Sequence, residues 1–385
     1  LNDSNRRLAR PYFDVSIFAE NFKMGSFNVA QPMKLLLICS LLFTFGFVVS
    51  SPLCADEKTG TLDVYWVDVE GGGGTLMVTP AGESILIDAG MPGERDPGRI
   101  HKVAAEVAGV KQIDHLITTH FHIDHFGGAA EVSQKMPVIN VWDNGVPDRN
   151  PDNNPNDTRF PIMIKPYKEM SVANRYVIKP DDTLPLKQSA GALVSARCLV
   201  AMEKFTDQIV GDKPRVDCAE VIEKPADTSD NRNSIVTLIS VGDFKFFVGG
   251  DLTWNTEADL VCPVDRVGMV DVYQVNHHGL DASNNPILIE SLAPTVSVMS
   301  NGTSKGCGKE TFATLKSAPA IQSMYQVHKN LREDSENNTS PEFIANVAKD
   351  CAANYIKMSV APDGKTYTIS IPGTGHSQEY QTKKK

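Results

Sequence analysis

Residues 118–128 read TTHFHIDHFGG. His120, His122, Asp124 and His125 fall inside six residues of that stretch, a dense set of donors for borderline metals such as Zn²⁺. LITT (116–119) reads as a buried strand rich in β-branched side chains, and FGG (126–128) as a turn into a helix. Side chains at such a strand-to-loop corner can splay two ways. His120 and His122 can then serve one ion while Asp124 and His125 turn toward a second. The plainer alternative is a helix-capping aspartate among incidental surface histidines. Four ligand-type side chains at one strand end rarely cluster without a job.

Three further segments end on the same residue types. SILIDAG (84–90) is a hydrophobic strand delivering Asp88, FKFFVGGDLT (244–253) a strand delivering Asp251, and VDVYQVNHHG (270–279) a strand delivering His277 and His278. In order and spacing, over roughly residues 61–330, this pattern resembles the metallo-β-lactamase superfamily and its HxHxDH signature. The resemblance implies an α/β (α+β) fold, a four-layer αββα sandwich, and hydrolysis at a dinuclear site. None of the nine histidines lies between His125 and His277, the interval in which most two-zinc members supply a third histidine to site one. DTSDNRNS (227–234) stands there instead. With WDNGV (142–146) and VSVMSNG (296–302), that departure is similar to the nuclease-like domain of the competence protein ComEC and its secreted relatives. This chain differs from the group at GCG (306–308), where His-Pro is common.

The ligand set implied by the resemblance puts His120 and His122 in site one, completed by water or an oxygen donor from 227–234. Asn233 is the first choice for that donor and Asp230 the second. Asp124, His125 and His277 hold site two, and Asp251 bridges, reducing the repulsion between cations about 3.5–4 Å apart. Strand alternation lets only one of the paired histidines face the metals. The family pattern selects His277, leaving His278 as a catalytic or substrate-contact candidate, with a packed imidazole as the alternative. Asp88 orients a ligating histidine rather than binding metal. Two Zn²⁺ ions are expected, with Mn²⁺ admitted by the short histidine count. Such cations acidify a shared water, and Asp124 or Asp251 orients it.

Residues 33–55 (MKLLLICSLLFTFGFVVSSPLCA) have a Lys, an apolar run and then small residues, the layout of a cleavable signal peptide. The run is short for a membrane span of about 20 residues. Residues 1–32 read as an upstream extension without a role. The remaining 56–385 form one hydrolase domain with an insertion at about 137–232, destined for secretion or the periplasm, with no stable membrane span. That stretch has 32 basic and 44 acidic side chains, a net charge of −12. Such a surface disfavours tight binding of duplex nucleic acid, and the resemblance to a nuclease-like domain implies a small-molecule or nucleotide-like substrate. Its five cysteines have no CxxC spacing, which argues against a structural zinc knot; Cys198 with Cys218 is the first disulfide to consider.

GGGG (71–74) reads as the turn of a hairpin between 61–69 and 75–79, residues 98–110 and 162–176 as helices, and 357–371 as a terminal hairpin. The KKK tail reads as a solvated end. Phosphoester hydrolysis leads the functional readings. Hydrolysis of lactams, thioesters or other esters is the alternative within the superfamily, and a non-catalytic metal-binding module the alternative outside it. No GxSxG elbow supports serine chemistry.

Overall fold

The computed structural model describes residues 60–384, apart from 153, 155, 156, 212 and 335; the expected upstream extension and signal peptide lie outside the described residues. The chain first lays down β1 (Leu62–Trp66), β2 (Thr75–Val78), β3 (Ser84–Ile87), β4 (Ile113–Ile117), β5 (Val138–Asp143) and β6 (Asn174–Val177). It then builds β7 (Val194–Ala201), β8 (Lys204–Phe205), β9 (Val236–Val241), β10 (Phe244–Val248), β11 (Val272–Gln274), β12 (Val296–Met299), β13 (Ser323–His328) and β14 (Ile344–Asn346). Finally it returns through β15 (Ile356–Val360), β16 (Thr366–Ile371) and β17 (His376–Gln381). One sheet has the order β17-β16-β15-β1-β2-β3-β4-β5-β6, the other β14-β13-β12-β11-β10-β9-β7-β8.

Period-two side-chain alternation explains why these sheets stack. Leu62, Val64 and Trp66 of β1 face Phe244, Phe246 and Val272 of the second sheet in one buried cluster. Tyr65 of the same strand points the other way, into a cluster with Ile100, Phe126 and Phe160. That outer cluster is roofed by α1 (Arg95–Lys102), α2 (Ile123–Phe126), α3 (Ala129–Lys135) and α4 (Phe160–Lys168). On the far side Phe247 and Tyr273 pack with residues of α5 (Trp254–Val261), α6 (Pro286–Leu292) and α7 (Lys309–Ser317). The result is the expected αββα sandwich. No helix among the described residues is long and apolar enough to cross a membrane.

Several local expectations change. Within residues 137–232, β5 and β6 extend the first sheet and β7 and β8 the second, and Trp142 of β5 and Val194, Ala196 and Cys198 of β7 pack into the core between the sheets. Helix α4 stops at Lys168, and residues 174–176, expected to be helical, belong to β6, which pairs in parallel with β5. The disulfide joins Cys218 to Cys262, while Cys198 is a buried free thiol on β7 facing the sheet-to-sheet core. The tail is not wholly solvated, since the Lys383 amide donates to Asp271 and its ammonium to the Ala293 carbonyl.

Candidate metal centre

Strands β3, β4 and β5 run parallel, as do β10, β11, β12 and β13, so their carboxyl ends fall on common edges. Polar side chains gather at such edges because loops there escape the backbone pairing that strands impose. Asp88 follows β3, His120 to His125 follow β4, Asp251 follows β10, and His277 and His278 follow β11.

The turn of α2 separates the signature donors. His122 is still extended (φ −85°, ψ 146°), and Asp124 and His125 then ride on the helical turn. His125 Nε2 lies 3.2 Å from Asp251 Oδ2, 3.5 Å from Asp124 Oδ2 and 3.1 Å from His278 Nε2. His278 Nε2 lies 3.3 Å from Asp251 Oδ1 and 3.5 Å from Asp124 Oδ2. On the other side of Asp251, Oδ2 is 3.9 Å from His120 Nε2 and 3.5 Å from His277 Nε2. His120, His122 and Asp251 form a second group of converging donors.

Each imidazole is aimed by its far nitrogen. Asp88 Oδ2 holds His125 Nδ1 at 2.7 Å while its other oxygen accepts from the Thr119 amide at 2.8 Å. Thr119 Oγ1 is 3.1 Å from His120 Nδ1, Ser283 Oγ 3.1 Å from His277 Nδ1, and the Ser300 carbonyl 3.2 Å from His278 Nδ1. His122 is held through Nε2 by Asp152 at 3.0 Å, so its Nδ1 is the ring nitrogen left over. Asp152 belongs to the Pro- and Asn-rich loop after β5, and nothing in its local pattern marked it as a partner of the motif.

Two expectations need correction. His277 and His278 are not on a strand; they occupy a turn, Asn276–Gly279, with φ of 54° and 55°. Alternation therefore does not apply, and both rings reach Asp251. His278 joins the Asp124–His125 group, and His277 lies on the side of His120. Left-handed backbone at two successive non-glycine residues costs on the order of 1–3 kcal/mol each. The second correction concerns Asn233, whose amide donates to Asp230 Oδ1 at 2.9 Å while Asp230 Oδ2 accepts from the Phe121 amide. Asn231 instead brings its amide 3.4 Å from His277 Nε2, because the turn Asp230–Asn233 swings that side chain inward.

Glycines allow the close approach. A Cβ on Gly73 would lie 2.6 Å from Asp88 Cβ and 2.8 Å from His125 Nδ1, so the GGGG run serves the centre as well as its hairpin. A Cβ on Gly249 would lie 2.3 Å from Asn276 Oδ1, which explains the glycine pair before Asp251.

Charge and burial oppose each other here. Burial alone would raise Asp251, yet the imidazoles of His125, His278 and His277 hold its carboxyl well below the usual range. Burial alone would lower His125, yet Asp251, Asp88 and Asp124 hold it well above an ordinary histidine. His120 goes the other way, held well below by burial and by the neighbouring His125. His120 Nε2, Asp251 Oδ1 and Asn231 Oδ1 are buried without a hydrogen-bond partner. Orphaned buried acceptors are costly, and several converging on one spot fit a cation. The spacing agrees: donors 2.0–2.1 Å from a tetrahedral ion sit about 3.3–3.4 Å apart, against 3.1–3.5 Å around His125 and His278.

A separate group comprises Asp68, Glu70, His328 and Cys351. Asp68 Oδ1 accepts directly from His328 Nε2 at 2.5 Å, and Oδ2 pairs with Arg99 at 2.9 Å. The first distance leaves no room for an ion between them, and the guanidinium already supplies the positive charge. This group is a buried ion pair.

Residues 70–183 match the family model of the metallo-beta-lactamase superfamily. ComE operon protein 3 of Bacillus subtilis (strain 168) is 25% identical over 194 residues, which is 50% of this chain and 20% of that relative. The chain thus matches about a fifth of the relative's length. Among solved structures, CmlA, a diiron β-hydroxylase from Streptomyces venezuelae, aligns over 62% of this chain and 44% of its own at 15% identity and a TM-score of 0.35. A metallo hydrolase from Ignicoccus hospitalis aligns over 68% and 94% at 13% identity and a TM-score of 0.37. The family match covers the first-sheet half of the centre, from the glycine loop through the HxHxDH turn, and this part of the chain is similar to the metallo-β-lactamase superfamily.

Proposed function

We propose that this protein is an exported, divalent-metal-dependent hydrolase of phosphoesters. The observation that carries the reading is the spacing of donors around Asp251. Asp124, His125, His278 and Asp251 would hold one cation, and His120, His122 and His277, with Asn231 close by, a second beside the same aspartate. Bound there, such cations would supply Lewis acidity and lower the pKa of water toward neutrality. The protein's part is positional. Asp88, Thr119, Ser283 and Ser300 fix the tautomers, leaving the facing nitrogens free to donate electron pairs. Asp124, about one-sixth exposed, is the carboxylate best placed to accept a proton at the mouth of the site. Water adds across the ester, the P–O bond to the leaving group breaks, and an alcohol and a phosphomonoester result.

Phosphoester specificity is supported by the resemblance to the ComEC nuclease-like domain, and the acidic surface favours a small or nucleotide-like substrate over a duplex. Export is supported by the signal-like pattern at 33–55 and by the Cys218–Cys262 disulfide, a bond that persists in oxidising compartments. Zn²⁺ is the proposed metal, with Mn²⁺ the substitute. Purified protein loaded with either ion should cleave bis(p-nitrophenyl) phosphate, and chelation should stop it. Turnover of nitrocefin alone would replace the reading with lactam hydrolysis. Firm metal uptake with no turnover of any ester would replace it with a binding module.

A further inference from the structure

Lys305 lies on the segment Asn301–Gly308 between β12 and α7, and its ammonium donates to Asp124 Oδ2. No other lysine or arginine among the described residues pairs with Asp88, Asp124 or Asp251. A site built from several carboxylates thus has one lysine charge at its mouth.

The segment under that lysine is held on both sides. Gly302 donates its amide to the Lys305 carbonyl at 2.9 Å, and Leu331 donates to Thr303 at 2.9 Å. Arg332 donates to the carbonyls of Gly306 at 2.6 Å and Cys307 at 3.0 Å, while the Cys307 amide donates to His278 at 3.1 Å. The backbone is therefore tied to the HHG turn. The side chain is not: 36% of it is exposed, on a flexible four-carbon stem.

Lys305 Nζ and the ring nitrogens of His125 and His278 all meet Asp124 at the same oxygen, Oδ2, so a cation held there competes with the ammonium. Once the Asp124 carboxylate engages a divalent ion, the ammonium beside it is repelled by that ion and loses much of its partner. An anion arriving at the mouth is then the group that restores its pairing. We infer that Lys305 binds an anionic oxygen of the substrate, so that the site selects negatively charged esters, such as phosphodiesters, over neutral ones. The inference rests on the hydrolase reading and names the residue that sets its substrate class. Lys305 is thus a residue that touches the substrate directly.

The test compares metal-loaded wild type, K305M and K305R on bis(p-nitrophenyl) phosphate, an anion, and on p-nitrophenyl acetate, which is neutral. Losing one charged hydrogen bond should lower the ratio of kcat/KM for the anionic over the neutral ester by about ten- to a hundredfold in K305M, mostly through KM. K305R should recover most of that ratio. An equal loss on both substrates, or a loss of bound metal in K305M, would overturn the inference and make Lys305 a structural partner of Asp124. If wild type turns over neither ester, the hydrolase reading falls and the inference is judged by calorimetry with inorganic phosphate. Phosphate binding to metal-loaded wild type that weakens in K305M supports it; equal affinity overturns it.

Discussion

Asp251 and Asp68 are both buried aspartates touched by buried histidines, and they do opposite things. Asp68 has its charge answered inside the protein, by His328 at 2.5 Å and Arg99 at 2.9 Å. Those partners hold its carboxyl below the usual range although burial pushes it up. Asp251 faces four imidazoles at 3.2–3.9 Å and no lysine or arginine. Its oxygens are spaced for something between them and the rings. A satisfied carboxylate stabilises a fold; an under-satisfied cluster of them marks where a ligand supplies the missing charge.

The sharpest way to break that contrast is to neutralise Asp251. D251N should bind less metal by elemental analysis and lose activity by about a thousandfold, the several kcal/mol that metal polarisation contributes. Full metal content in D251N would put the two aspartates in one class. D68N is the converse. Removing one partner of a buried pair should lower stability by about 3 kcal/mol in a urea titration while metal content holds. Next comes the asymmetry around Asp251 itself. H278A should lose the ion held with Asp124 and His125, whereas N231A should weaken only the other, by about ten- to a hundredfold in a Zn²⁺ titration. Equal weakening of both ions by N231A would place that amide elsewhere.

The last test concerns the base of the HHG turn. Glu257 accepts from the Asn276 side chain at 2.7 Å and from the amides of Asn284 and Asn285 at 2.9 and 2.7 Å. Burial pushes its carboxyl up to about 7 from 4.5, against those hydrogen bonds. A group that binds its proton more tightly when folded adds stability that is complete below the unfolded pKa of 4.5 and is lost as pH rises through about 7. Stability should therefore fall between pH 4.5 and 7 by at most about 1.4 kcal/mol per pH unit. E257Q should flatten that slope in denaturant titrations; an unchanged slope would exclude Glu257 as its source.

What could be read from the chain follows from how far apart the interacting residues are. The strand ends at Asp88, Asp251 and the HxHxDH corner declare themselves locally, through apolar runs that stop at a donor. The two-sheet architecture follows from the same runs. The choice between His277 and His278 was not legible, because it turns on two left-handed residues where alternation was assumed. Which of Asn231 and Asn233 turns toward His277 was not legible, because a single short turn, Asp230–Asn233, decides it. His328 and Asp68 are 260 positions apart, and neither has a local pattern that announces the other. The partner of Cys218 depended on where α5 ends, since Cys262 is its terminal cap.

Strand β1 is hydrogen-bonded on one flank by β2 and on the other by β15, so the first strand of the described domain meets the first of its last three strands inside the sheet. Contacts of such sequence separation form slowly, because the loop entropy must be overcome before they contribute. The first sheet is therefore complete only once residues 356–381 have joined it. A product truncated before Ile356 would leave β1 with a bare flank, open to pairing with a neighbouring chain.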